Sequence, residues 1–166
     1  MRSDRALCRA LELVTITLAW ALCGVADARA QCGTGSNRSF SALTVTPSDL
    51  TLPSVSVTEF DRGYSATTQY TVTVDPSNSN KNRTWYLCLQ ATSATFPAVS
   101  GYSKPIGELQ WSLNGSAWTN VTTGSQQVST STGTTTLAIY VRMRVNYAQD
   151  VPGTYGPVPL TFTASH

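Results

Sequence analysis

The sequence predicts an all-β protein, two antiparallel sheets packed face to face, and three observations carry that reading. Beyond Gln31 the apolar residues fall in alternating runs, with no persuasive helical spacing. The runs are short and are punctuated by Gly, Pro and Asn. Seven or eight of them fit between Gln31 and His166, a length that suits one domain with its own core. Such strand density favours an immunoglobulin-like two-sheet antiparallel sandwich over a closed barrel.

Taken along the chain, SALTVT and LTLPSVSVT read as two short strands, and Pro53 assigns the second to an edge or a break. SATTQYTVTV sets Thr68, Tyr70, Val72 and Val74 on one face and Gln69, Thr71 and Thr73 on the other, ending at Asp75-Pro76. After the polar loop SNSNKN comes TWYLCLQAT. There Trp85, Leu87 and Leu89 alternate with Tyr86, Cys88 and Gln90, so both faces are apolar enough for a central strand. ELQWSLNGSAWTNV reads as a hairpin, because Asn114-Gly115 supplies the two positive-φ positions of a type I′ turn. Ser125 to Thr136, SQQVSTSTGTTT, is low in complexity and predicts a mobile loop with a frayed edge strand. TTTLAIYVRMRVNY is the clearest strand, with Leu137, Ile139, Val141, Met143 and Val145 facing one way and Tyr140, Arg142 and Arg144 the other. The chain closes on Tyr155, Val158, Leu160 and Phe162, spaced along a terminal apolar strand after Pro152-Gly153.

The first thirty residues read as a secretory signal peptide. Arg2, Arg5 and Arg9 precede the apolar stretch LVTITLAWALCGVA, and Ala28-Arg29-Ala30 offers the cleavage site. That stretch is shorter than the roughly 20 residues a membrane helix needs, and no later run is longer, so no membrane span is expected. Neither Cys23 nor Cys32 follows the small apolar residues of a bacterial lipid-attachment site. The expected product is residues 31–166, exported to the periplasm, cell surface or extracellular space. Cleavage leaves Cys32 and Cys88, and a pair of cysteines in an exported chain predicts one disulfide. Zinc is the poorer alternative, since two sulfurs and His166 fall short of four ligands.

Composition narrows the function classes. Seven Lys or Arg stand against six Asp or Glu after Gln31, scattered along the chain, so nothing marks a nucleic-acid or anionic-lipid footprint. The sole histidine is the last residue, His166, which removes the base from a Ser/His/Asp triad. Asp49, Glu59, Asp61, Asp75, Glu108 and Asp150 mostly sit at turns, where carboxylates cap and solubilise more often than they catalyse. No phosphate-binding glycine loop or calcium ladder occurs, so the expectation is a protein without cofactor or metal that is not an enzyme. Asn37, Asn82, Asn114 and Asn120 lie in N-x-S/T sequons, meaningful only in a eukaryotic secretory host.

The two cysteines, one almost at the processed start and one on a mid-chain strand, together with YVRMRVNYAQDVPGTYGPVPLTFTAS at the end, resemble the spore coat protein U and chaperone-usher pilin group of exported bacterial subunits. Gly153-Thr154-Tyr155 and the strand Val158 to Ala164 carry the match. The resemblance implies a sandwich lacking one strand, with a groove beside the C-terminal strand, at Tyr155, Val158, Leu160 and Phe162, that takes a strand from a periplasmic chaperone and then from a neighbouring subunit. Only Gln31 precedes Cys32 after the expected cleavage, so the donor arm of assembling pilins is missing unless Asn37 to Val45 serves; a terminal or tip subunit, structural or adhesive in role, would fit. The competing expectation is a strand-complete secreted module that binds a glycan or a protein through Tyr102, Trp111 and Trp118. For these aromatics, core or hairpin packing is the commoner fate.

Overall fold

β-Branched and aromatic residues at every second position build the long strands, and Gly, Pro and Asn end them. The computed structural model describes Cys32, residues 40–97 and residues 101–166. In chain order these form β1 (Phe40–Thr46), α1 (Val57–Arg62), β2 (Thr68–Pro76), β3 (Trp85–Ala91), β4 (Leu109–Ser112), β5 (Thr119–Asn120), β6 (Gln126–Ser131), β7 (Thr135–Met143) and β8 (Leu160–Ser165). Five strands make one sheet in the order β1-β2-β7-β4-β5, and three make the other in the order β6-β3-β8. Every pairing is antiparallel, so the chain is an all-β, two-sheet sandwich. The segment read as a signal peptide and Asn37 lie outside the described residues, while Asn82, Asn114 and Asn120 are exposed.

The predicted faces hold where alternation is clean. Tyr70, Val72 and Val74 of β2 and Ile139, Val141 and Met143 of β7 are buried on the shared core side. Across the gap, Trp85, Leu87 and Leu89 of β3 reach zero exposure, and β3 is the central strand of its sheet. Its outward Cys88 is covered by the disulfide to Cys32, with S–S at 2.02 Å.

Three local expectations change. LTLPSVSVT is not a strand: residues 50–55 run extended with a single bridge, Val55 to Gly153, and the chain then turns into α1. Capping explains the switch, because the Glu59 carboxylate accepts the Ser56 backbone N–H at 3.0 Å and the Ser56 hydroxyl, and Gly63 closes the C-terminus in the left-handed region at φ 74°. These Ser56 hydrogen bonds hold the Glu59 carboxyl below its ordinary value. The Asn114-Gly115 hairpin forms, but β4 and β5 pair through Trp111 and Thr119, so residues 113–118 make a longer loop. The Asn114 carboxamide oxygen accepts the N–H groups of Ser116 and Ala117, an arrangement that a two-residue turn has no room for. Finally, SQQVSTSTGTTT holds the expected edge strand, β6, at the edge of its sheet on β3, but is more ordered than a mobile loop: the Trp85 indole N–H donates to the Gly133 carbonyl at 2.8 Å beyond it.

Candidate functional site

β8 continues the hydrophobic spacing of the C-terminal sequence, and its position decides which edge it leaves open. It pairs with β3 over Leu160 to Ser165, and among the described residues no strand pairs with its other side from Leu160 to Ala164. β1 is likewise an edge, paired only with β2 among the described residues. In an antiparallel ladder about half the backbone N–H and C=O groups of an edge strand point away from its partner. β1 and β8 therefore flank one side of the sandwich, each with an outward row of backbone groups, and approach within 8 Å between Cα atoms.

The side chains along this seam are apolar and incompletely covered. Leu43 and Val45 of β1 and Leu160 of β8 pack on the core yet stay partly exposed, as does Phe40 at the mouth. Phe162 lies deeper, at 8 % exposure, and its ring meets Tyr70 of the opposite sheet edge-on at 5.2 Å. Both ends of the seam are closed. At one end the Phe40 and His166 rings stack at 4.5 Å, with the His166 ring nitrogen 3.2 Å from the Thr84 carbonyl oxygen. At the other, the chain leaves β1 at the cis Thr46-Pro47 bond and crosses sheets, and the Val158 N–H donates to the Leu50 carbonyl at 2.7 Å.

This crossing divides the four residues expected to line the groove. Tyr155 and Val158 are buried under the chain's own 50–55 segment: the Leu52 N–H donates to the Tyr155 carbonyl at 3.1 Å, and the Tyr155 hydroxyl donates to Val151. Leu160 and Phe162 lie on β8 itself, where the edge is open among the described residues. Gly156 makes the close approach possible, since a Cβ there would stand 3.0 Å from the Thr51 Cα at φ 157°. Gly156→Ala is expected to destabilise the fold by about 1–3 kcal/mol, seen as a lower urea midpoint with an unchanged slope.

The three candidate ligand aromatics do not share one surface. Trp111 is opposite Val141 and buried at 9 %, whereas Gln110 and Arg142 pair on the other face. On that other face the Arg142 guanidinium sits between the rings of Tyr64 and Trp118, at 3.8 and 4.0 Å from their centroids. Tyr102 lies at the loop end of the sandwich, where burial first and then Asp150 raise its phenol above its ordinary value.

The sequence reading missed a charged cluster beside Tyr102. Lys104 is fully buried, with its ammonium 2.7 and 2.8 Å from the two carboxylate oxygens of Asp150, whose side chain is also fully buried. The same ammonium bonds the Glu108 carboxylate, which is 30 % exposed and borders an open cleft of about 290 Å³ with Tyr64, Arg144 and Asn146. Asp150 thus departs from the expected surface turn, although its Oδ2 does accept the Asn146 N–H at 2.8 Å. The only sequence signal was weak: Lys104 and Glu108 are four residues apart, but Asp150 is 46 residues from Lys104.

Among the described residues no group of His, Cys, Asp and Glu is arranged to hold a metal ion, and no helix is long and apolar enough to cross a membrane. No family model matches the chain, and neither a curated protein nor a solved structure matches it.

Proposed function

We propose that the chain is an exported structural or adhesive subunit of a surface or pilus-like assembly, one that accepts a partner strand beside β8. The observation that carries this reading is the seam between β1 and β8, apolar, part-exposed and, among the described residues, bordered by two strand edges. An extended segment laid there would gain main-chain hydrogen bonds from an edge and would cover Leu43, Val45 and Leu160 with its alternate side chains. Length fits as well, because the seam runs for about one strand between the Phe40–His166 stack and the Leu50–Val158 hydrogen bond. The disulfide suits an exported protein. The resemblance to spore coat protein U and chaperone-usher subunits agrees with this reading, and a periplasmic chaperone and other subunits are the partners it implies. Residues 40–45 already belong to β1, so little of the Asn37 to Val45 stretch is left to act as a donor arm, which favours an acceptor role.

Two variants test the reading. Deleting Leu160 to His166 should abolish capture by a co-exported periplasmic chaperone or partner subunit. Because that deletion also removes a core strand, Leu160→Lys is the milder companion: Leu160 is only partly buried, so the fold should persist while capture falls at least tenfold. Unchanged capture by a folded Leu160→Lys protein would remove β8 from the interface.

A further inference from the structure

The Lys104, Asp150 and Glu108 cluster is more than the strand-acceptor reading requires, and its three residues lie outside the strands. A fully buried lysine facing a fully buried carboxylate is costly to desolvate, and exposed lysines hold loops as ion pairs without that cost. Its surroundings are held in place, and the Tyr102 hydroxyl also bonds the Asp150 carboxylate. The Phe96 N–H donates to the Lys104 carbonyl at 2.8 Å, and the Ile106 N–H donates to the Ala94 carbonyl at 2.8 Å. Phe96 and Tyr155, both buried, meet edge-on at 6.3 Å. On the facing side Asp150 is fixed by the Asn146 N–H.

The geometry points to a covalent use: we propose that Lys104 and Asp150 form an intramolecular amide, with Glu108 as the proton carrier. A nitrogen 2.7 and 2.8 Å from both oxygens of one carboxyl group is within contact distance of the carbon that joins them, the separation of a near-attack pair. Proton transfer inside the cluster, from the Lys104 ammonium to Glu108 and on to Asp150, leaves a neutral amine beside a neutral carboxylic acid. The amine nitrogen then attacks the Asp150 Cγ, and an N–C bond forms as the C=O π bond opens. Glu108 takes a proton from the attacking nitrogen and delivers it to an Asp150 hydroxyl, whose C–O bond breaks to release water. One ammonium and one carboxylate become one amide and one water, charge is conserved, and Glu108 ends as it began. No oxidant, reductant or activating group takes part.

Two features favour the product. The reaction removes two opposite charges from a site with no solvent exposure, replacing a desolvated ion pair with a neutral amide. The partly exposed Glu108 borders the open cleft, which gives the released water a way out while Lys104 stays dry. The bond would tie the loop before β4 to the loop after β7, a covalent brace at the end of the sandwich opposite in kind to the Cys32–Cys88 disulfide, because reductant would not open it.

Intact mass spectrometry of the full chain, expressed for export, denatured and reduced, tests this. The expected mass is one water below that of the processed sequence, and proteolysis should yield a peptide pair joined through Lys104 and Asp150. Cyclisation of an N-terminal Gln31 would lose ammonia instead, so the two changes are distinguishable. Glu108→Gln and Lys104→Arg should both restore the full mass. A full-mass wild-type protein, or a water loss that maps away from Lys104 and Asp150, overturns the proposal whatever the variants do. Continued water loss in Glu108→Gln overturns the role given to Glu108.

Discussion

Replacing Cys32 and Cys88 together by alanine is expected to lower the folding stability by about 4 kcal/mol. The disulfide spans 56 residues of sequence, and closing a loop of that length removes about this much chain entropy from the unfolded state. Cys88 is 1 % exposed on the central strand of the three-stranded sheet, so the substitution also leaves a small void, and the two effects act in the same direction. Urea unfolding of the oxidised protein and the double variant measures the difference. A change in slope as well as midpoint is expected, since the uncrosslinked chain exposes more surface when it unfolds. A loss below about 1 kcal/mol would mean that the bond does not restrain the unfolded chain as this account requires.

Trp85→Ala should cost about 3–5 kcal/mol, the range for truncating a large core aromatic. Among the described residues Trp85 is the largest fully buried side chain, and it opens β3, which every other strand of its sheet pairs with. The substitution would leave the space of the ring and would free the Gly133 carbonyl from its indole donor, loosening the β6–β7 turn. Trp85→Phe keeps most of the ring and should recover more than half of the loss, with the missing hydrogen bond as the remainder. Both are measured by the urea midpoint, and equal losses for the two variants would mean that packing by the ring is not what Trp85 contributes.

The elements legible in the sequence are those with a strict period of two and one buried face. β2 and β7 declare themselves by Tyr70-Val72-Val74 and Ile139-Val141-Met143, and β3 by apolar residues on both faces. α1 was hidden because six residues hold fewer than two turns and Phe60 is its only buried residue, so no helical period can show. Its caps were readable all the same: Ser56 and Glu59 have the capping spacing and Gly63 stands just past the end. At Asn114-Gly115 the hairpin was legible but its loop length was not, because Ser112 and Asn114 side chains organise the longer loop by bonds that spacing does not reveal. The terminal strand was likewise visible, while its neighbours were not. Only the three-dimensional crossing shows that residues 50–55 cover Tyr155 and Val158 and that, among the described residues, Leu160 and Phe162 remain at an edge. The Lys104 cluster lay furthest from view: charged residues read as surface, and nothing in the sequence joins Lys104 to Asp150 across β4 to β7.

On the proposed function, β8 takes a strand from another chain. Size exclusion with light scattering, on residues 31–166 exported to a bacterial periplasm without added partners, tests it most directly. The account predicts aggregates or polymers that a co-exported chaperone converts to a soluble complex and that Leu160→Lys diminishes. A folded, stable monomer at every concentration, with no complex formed when the chaperone is present, would contradict it and would mean that β8 already has its neighbours within the chain.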